Sequence, residues 1–254
     1  MKRFLLWVIA VLIFAVSLSA QNLGIYCEND APFQFMGPDG KLTGMNVEFV
    51  QEIQKRVGNT DPIQMVPWAR GLAYLDTKPN TVLFSMSRTA ERNELYQWVG
   101  PVAEVVFGLY AKADSSMEIK SLDDAKKLHI IGVYRDDIRD QYLTRNGFTN
   151  LERTKDNVQN FRKLMAGRID AYVSTQSSVI GEAGVSGYKP SDVKLVYELM
   201  KSQVFIAMSK ATDSAIVAQW RAALESMKKD GSFKRILKKY YPANDLPGPE
   251  ITKF

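Results

Sequence analysis

The segment FSMSRTAER, residues 84–92, ends an apolar run in two serines around a methionine, then adds Arg88 and, four residues on, Arg92. A guanidinium fork matches the two oxygens of a carboxylate, and neighbouring hydroxyls fill its remaining lone pairs, so Ser85, Ser87 and Arg92 have the composition of a carboxylate clamp. Residues two apart on a strand face the same side, which would bring both hydroxyls to one place. The same letters also spell a surface turn in which Arg92 pairs with Glu91 or Glu94; Arg88 is assigned to the surface. Upstream, PWAR supplies Trp68, whose indole face combines apolar area with cation–π capacity, and Arg70 two residues on. A tryptophan at a helix start also serves as a core residue, and Arg70 stands open between site and surface. His129, the one histidine, lies inside LHIIGV with no partner histidine or cysteine, so it reads as a strand residue and no metal is expected. Glycine-rich phosphate loops are absent from the sequence, and no cofactor is expected.

Composition bounds the rest. Lys2 and Arg3, an apolar run over 4–16 and the small residues of SLSA at 17–20 form a secretory signal, with cleavage near Ala20. The run falls short of the about 20 residues of a spanning helix. Without residues 1–20 the chain keeps 234 of 254 residues and its formal charge falls from +5 to +3, too mild a basic balance to argue for nucleic acid. One cysteine, Cys27, remains, so an exported chain must fold on its hydrophobic core with no internal disulfide. The closing KRILKKYY reads as an amphipathic helix with lysines in solvent, not as a nucleic-acid arm.

Periodicity supplies the elements that must hold these residues. MNVEFVQEIQKRVG puts Met45, Phe49, Val50, Ile53 and Val57 at helical spacing and stops at Gly58. A strand at 63–66, a helix from Trp68 and a strand at 81–86 follow, an alternation that implies a mostly parallel sheet flanked by helices. After a connecting stretch at 107–114 the rhythm restarts: SLDD at 121–124 is a capping box, LHIIGV a buried strand, DNVQNFRKLMAG a helix with Val158, Phe161, Leu164 and Met165 on one face, and IDAYVS a strand. A strand at 204–209 and two helices close the chain, a tail too small to bury much alone.

At this point several motifs coincide in order: APFQF, GKLTGMNVEFVQEI, RTAER, a Trp-x-Gly-Pro segment at 98–101, LMAGRIDAYV and MKKDGSFKRILKKYY. Together they make the chain similar, over essentially its whole mature length, to the bacterial extracellular solute-binding proteins of the polar amino acid type, the periplasmic receptors of ABC importers. The resemblance implies an α/β, two-lobed periplasmic-binding-protein fold of type II. Lobe one would be 21–103 plus 204–254, lobe two 107–199, with hinge strands near 103–107 and 199–203 and the ligand in the cleft between. It implies that Arg92 clamps the ligand's carboxylate with Ser85 and Ser87 beside it, and that Trp68 stacks on the ligand. A monomer that closes on a small solute and delivers it to a membrane permease is the expected function, with no catalysis. A sensory binding subunit for a membrane receptor, or a dehydratase-like enzyme on the same fold, are the alternatives.

The chain also departs from the family. Thr175 stands where the family's amino-acid binders carry an acid for the ligand's ammonium, and the lobe-two turn that usually accepts the carboxylate reads YRDD, with Arg135, Asp136 and Asp137. Acids at a helix start satisfy its dipole and repel an anion. Glu28, Asp30, Asp136 and Asp137 are the candidates to take the ammonium from another direction, or else loop and capping residues. The expected ligand is a small carboxylate-bearing solute, such as a modified or cationic amino acid.

Overall fold

The computed structural model describes residues 22–240, 247–248 and 250. Segment 1–20, where a signal peptide is expected, and most of the chain beyond 240 lie outside the described residues. The elements in chain order are β1 (Gly24–Cys27), β2 (Phe35–Met36), β3 (Leu42–Thr43), α1 (Met45–Val57), β4 (Ile63–Met65), α2 (Trp68–Thr77), β5 (Thr81–Ser87), α3 (Ala90–Asn93) and β6 (Tyr96–Lys112). They continue with α4 (Leu122–Lys126), β7 (Ile131–Tyr134), α5 (Ile138–Arg145), β8 (Leu151–Thr154), α6 (Asn157–Met165), β9 (Ala171–Thr175), α7 (Gln176–Val185), β10 (Val193–Ser209), α8 (Ser214–Asp230) and α9 (Ser232–Tyr240).

Local chemistry accounts for most boundaries. Helix α1 ends at Gly58, whose φ of 70° is the left-handed cap that glycine adopts without steric cost. Ser121 caps α4 by accepting from the Asp124 N–H, and its hydroxyl donates back to the Asp124 carboxylate, as SLDD predicts. Strand β8 and helix α7 are not anticipated by the periodicity. LERT alternates too weakly to announce a strand, and QSSVIGEAGV carries two glycines in a helix.

One mixed sheet holds both halves, in the order β4-β1-β5-β10-β6-β9-β7-β8. The outer pairs are parallel, whereas β10 runs antiparallel to both β5 and β6, and β6 antiparallel to β9. The stretch 107–114, expected as a connection, is largely strand: β6 and β10 are each 17 residues long and pair along their length. Register shifts at Leu195/Tyr197, Glu198/Met200 and Val204/Ile206 interrupt that ladder. Gly100 and Pro101 lie inside β6, where Val99, Val102 and Ala103 around them are buried, and that packing keeps the strand going.

Apolar residues gather on both sides. One core joins β1, α1 and β5 to α8 and α9, with Phe49 stacked on Phe233 at 4.2 Å, so the closing helices pack on the first half. Another joins β7, α5 and β9 to Phe107 and Leu199 on the two long strands.

Candidate functional site

The carboxyl ends of β1, β5, β7 and β9 converge on a narrow cavity of about 50 Å³. Glu28 and Asp30 follow β1, and the Asp30 turn is closed by its N–H donating to the Gln34 carbonyl at 2.8 Å. Asn46, in the first turn of α1, enters from the same side; Asp137 and Arg139 at the start of α5 and Thr175 and Ser178 at the start of α7 enter from the other. Phe33, Val105, Phe107, Ile138 and Val204 supply apolar wall.

Strand β5 does not deliver Ser85 by simple alternation. The register against β10 slips between Phe205 and Ile206, leaving Ser85 in a bulge at φ 66°. There its hydroxyl donates to Gln34 Oε1 at 2.5 Å and accepts from Asn46 Nδ2 at 2.5 Å. Two buried amides thus hold a non-glycine residue in a left-handed conformation that costs about 1–3 kcal/mol. Ser87 presents its carbonyl to Arg92 Nη1 at 3.4 Å.

Arg92 is 5% exposed. Thr89 caps the short α3 that carries it, and the guanidinium lies 5.6 Å over the Trp68 ring. The surface-turn alternative fails, because Glu91 pairs instead with Arg145 of α5. Among the described residues Arg92 Nη2 has no partner, and the same holds for Asn46 Oδ1 and Glu28 Oε2 on the same wall. One donor and two acceptors are therefore buried and unspent, a set that native interiors rarely tolerate without a function.

Electrostatics sharpen the picture. Burial, reinforced by Asp30, pushes Glu28 up to about 8, against the Tyr134 hydroxyl and the Arg139 charge. Burial also raises Asp30 and Asp137, although Arg139 faces both. Arg139 is 8% exposed, forms an ion pair with Asp137, and lies 5.6 Å from the Phe107 ring and 5.3 Å from that of Tyr134. Behind the wall, burial lifts Glu182 to about 7 while Tyr172, Ser174 and Asn157 hydrogen-bond its carboxylate.

Contacts also join the two halves beside the cavity. Trp68 Nε1 donates to the Asp136 carbonyl at 3.4 Å, and α7 approaches the β1–β2 loop so closely that a Cβ on Gly181 would lie 2.8 Å from both Cβ and the carbonyl oxygen of Ala31.

Of the residues singled out in the sequence, Glu28, Asp30, Trp68, Ser85, Ser87, Arg92, Asp137 and Thr175 line this cavity. Arg70 and Arg135 do not. Arg70 is exposed because two residues along a helix turn about 200°, carrying it away from the face that buries Trp68, Gly71 and Leu75. Arg135 is exposed because Asp136, at φ 62°, reverses the chain so that Asp137 caps α5, accepting from the Arg139 N–H at 2.8 Å, and Arg139 takes the inward place. Asp136 is exposed as well. Arg88 is half-buried, not a surface residue: it packs against Trp98 and Phe205, donates to Asn93 Oδ1 at 2.8 Å and pairs with Glu250. His129 is exposed before β7 rather than within it. Among the described residues no three His, Cys, Asp or Glu side chains come together as a metal site. Asn46, Arg139 and Ser178 escaped the sequence reading; only Ser178, three residues after Thr175 at N-cap spacing, carried a local signal.

Comparison with known proteins bears on the family and the fold. The chain is 26% identical over 226 residues to the L-cystine-binding protein TcyJ of Escherichia coli (strain K12), covering 87% of this chain and 80% of that protein. It is 26% identical over 270 residues to the probable amino-acid-binding protein YxeM of Bacillus subtilis (strain 168), covering 95% and 96% of the two. Among solved structures, an ancestral arginine-binding protein bound to arginine superposes with a TM-score of 0.76 at 24% identity, over 87% of this chain and 98% of that one, which shows the shared fold. The description "Bacterial extracellular solute-binding proteins, family 3" matches residues 24–243, and with the fold and the cleft already in view the chain belongs to that family.

Proposed function

We propose that this chain is the periplasmic substrate-binding component of an ABC importer, taking a small carboxylate-bearing solute, an amino acid or a close relative of one, and presenting it to a membrane permease. In this reading lobe one is 21–103 plus 204–254 and lobe two 107–199. The two long strands bend near 103–107 and 199–203, and the protein works as a monomer exported by a cleavable signal at 1–20. The observation that carries the reading is the unpaired Nη2 of buried Arg92, flanked by Ser85 and Ser87 in a cavity with Trp68 beneath it. A carboxylate is the group whose two oxygens fit that fork. Glu28 Oε2 and Asn46 Oδ1, the two unpaired oxygens, are the partners for the solute's ammonium, whose arrival would draw off the proton that burial keeps on Glu28 in the empty cleft. The L-cystine and amino acids in the names of the relatives have these two groups in common.

The test is calorimetric titration of the refolded, ligand-free protein with cystine and the standard amino acids, in the parent and in Arg92→Ala. Removing a charge-assisted hydrogen-bonding group should weaken the bound solute by about 10-fold to 100-fold. Equal affinity in the two proteins would sink the assignment.

A further inference from the structure

Arg139 is a cavity residue that the carboxylate clamp does not require. A guanidinium drawn out of water needs compensation from several directions, and here each direction comes from a different part of the fold. Asp137 forms the ion pair from the α5 cap, while Glu28 and Asp30 act on it from the loop after β1, across the cleft. Phe107 of β6 and Tyr134 of β7 turn their rings toward it at 5.6 Å and 5.3 Å. Carboxylates for the N–H fork and aromatic faces for the planar cation are the chemistry by which proteins bind a free guanidinium.

We infer that Arg139 is a built-in occupant of a guanidinium subsite, and that it determines specificity by filling the place a cationic solute's far end would take. With Arg139 present, two guanidinium groups face three acids; without it, Arg92 alone would face Glu28, Asp30 and Asp137. The parent protein therefore takes solutes with no second cation, and loss of the Arg139 side chain turns the same cavity into a cation site. The inference depends on the proposed solute-binding reading only for which cleft the ligand enters.

Methylguanidinium, the smallest probe of the subsite, is titrated into the parent, Arg139→Ala and Arg139→Ser, the last leaving Asp137 a small hydroxyl neighbour while still emptying the subsite. Arg139→Ala should bind methylguanidinium about 10-fold to 100-fold more tightly than the parent, the worth of charge-assisted hydrogen bonds regained, and adding Asp30→Asn should abolish the gain. If Arg139→Ala does not fold, Arg139→Ser is read by the same criterion. A folded variant with no gain overturns the inference. Should the parent meanwhile bind an amino acid through Arg92, the solute-binding reading survives that failure; a methylguanidinium gain with no amino acid bound would instead uphold the subsite and overturn the solute-binding reading.

Discussion

Asn46 donates from Nδ2 to the Ser85 hydroxyl across 2.5 Å, and that bond fastens the first turn of α1 to the bulge that aims β5 at the cavity. The left-handed backbone at Ser85 is thereby tied to a residue 39 positions away in sequence.

Ser85→Ala should cost about 1–3 kcal/mol, because the buried Asn46 and Gln34 amides lose their shared partner. Ser85→Gly loses the same hydrogen bonds but relieves the left-handed strain, so it should be less destabilised than the alanine variant by about 1 kcal/mol. Urea unfolding of the three proteins measures the order; an alanine variant as stable as the glycine one would show that the bulge stores no strain.

The raised pKa of Glu28 fixes a sign for pH dependence. Its native value of about 8 exceeds the ordinary 4.5, so the native state holds a proton that the unfolded state releases. Stability from this group is complete below about 4.5 and is lost as pH rises toward about 8. Asp30, Asp137, Arg139 and the Tyr134 hydroxyl are the charged and titratable groups that face it. Glu28→Gln should therefore unfold at a higher temperature than the parent at pH 8, with the gap closing as pH falls toward 4.5. Parallel midpoint curves across that range would refute it. Glu182, at about 7, pushes in the same direction, so Glu182→Gln would flatten the parent's curve over a lower window.

Gly181→Ala separates helix stability from cleft geometry. Alanine is favoured over glycine in a helix by about 1 kcal/mol, but its Cβ would meet Ala31 of the β1–β2 loop at 2.8 Å. The expected outcome is a protein at least as stable as the parent in its α7 segment, with weaker solute binding and a larger radius of gyration by small-angle scattering. Unaltered affinity would mean that the β1–β2 loop yields freely.

How much of this was legible follows the physics of each residue. Helix α1 was readable because Met45, Phe49, Val50 and Ile53 bury one face and Gly58 can cap it. Arg92 with its serines could be nominated, because hydroxyls beside a guanidinium suit a carboxylate, but the same letters also spell a surface turn, and only the burial of Arg92 in the fold separates the two. The length of β6 and β10 was not, since Gly100, Pro101 and Gly108 punctuate β6 while burial from both halves overrides them. Nor was Arg139: in RDDIRD all charges look equally solvated, and only the reversal at Asp136 decides that Arg139 turns inward and Arg135 outward. Asn46 was hidden for the converse reason, a polar residue inside an apolar helical pattern whose partner lies on another element.

The antiparallel zipper of β10 on β6 bears on the order in which the molecule can form. Val204 pairs with Ala103 and Ser209 with Tyr96, contacts about a hundred residues apart, and α8 and α9 complete the core around β1 only after β10 is in place. The middle of the chain, from β7 to β9, packs in a separate apolar cluster with Phe107 and Leu199 of the two long strands. Contacts this distant close slowly. A growing chain thus holds its earliest strands half-covered until its last fifth has been made, and the half of the protein synthesised first is among the last parts to be finished.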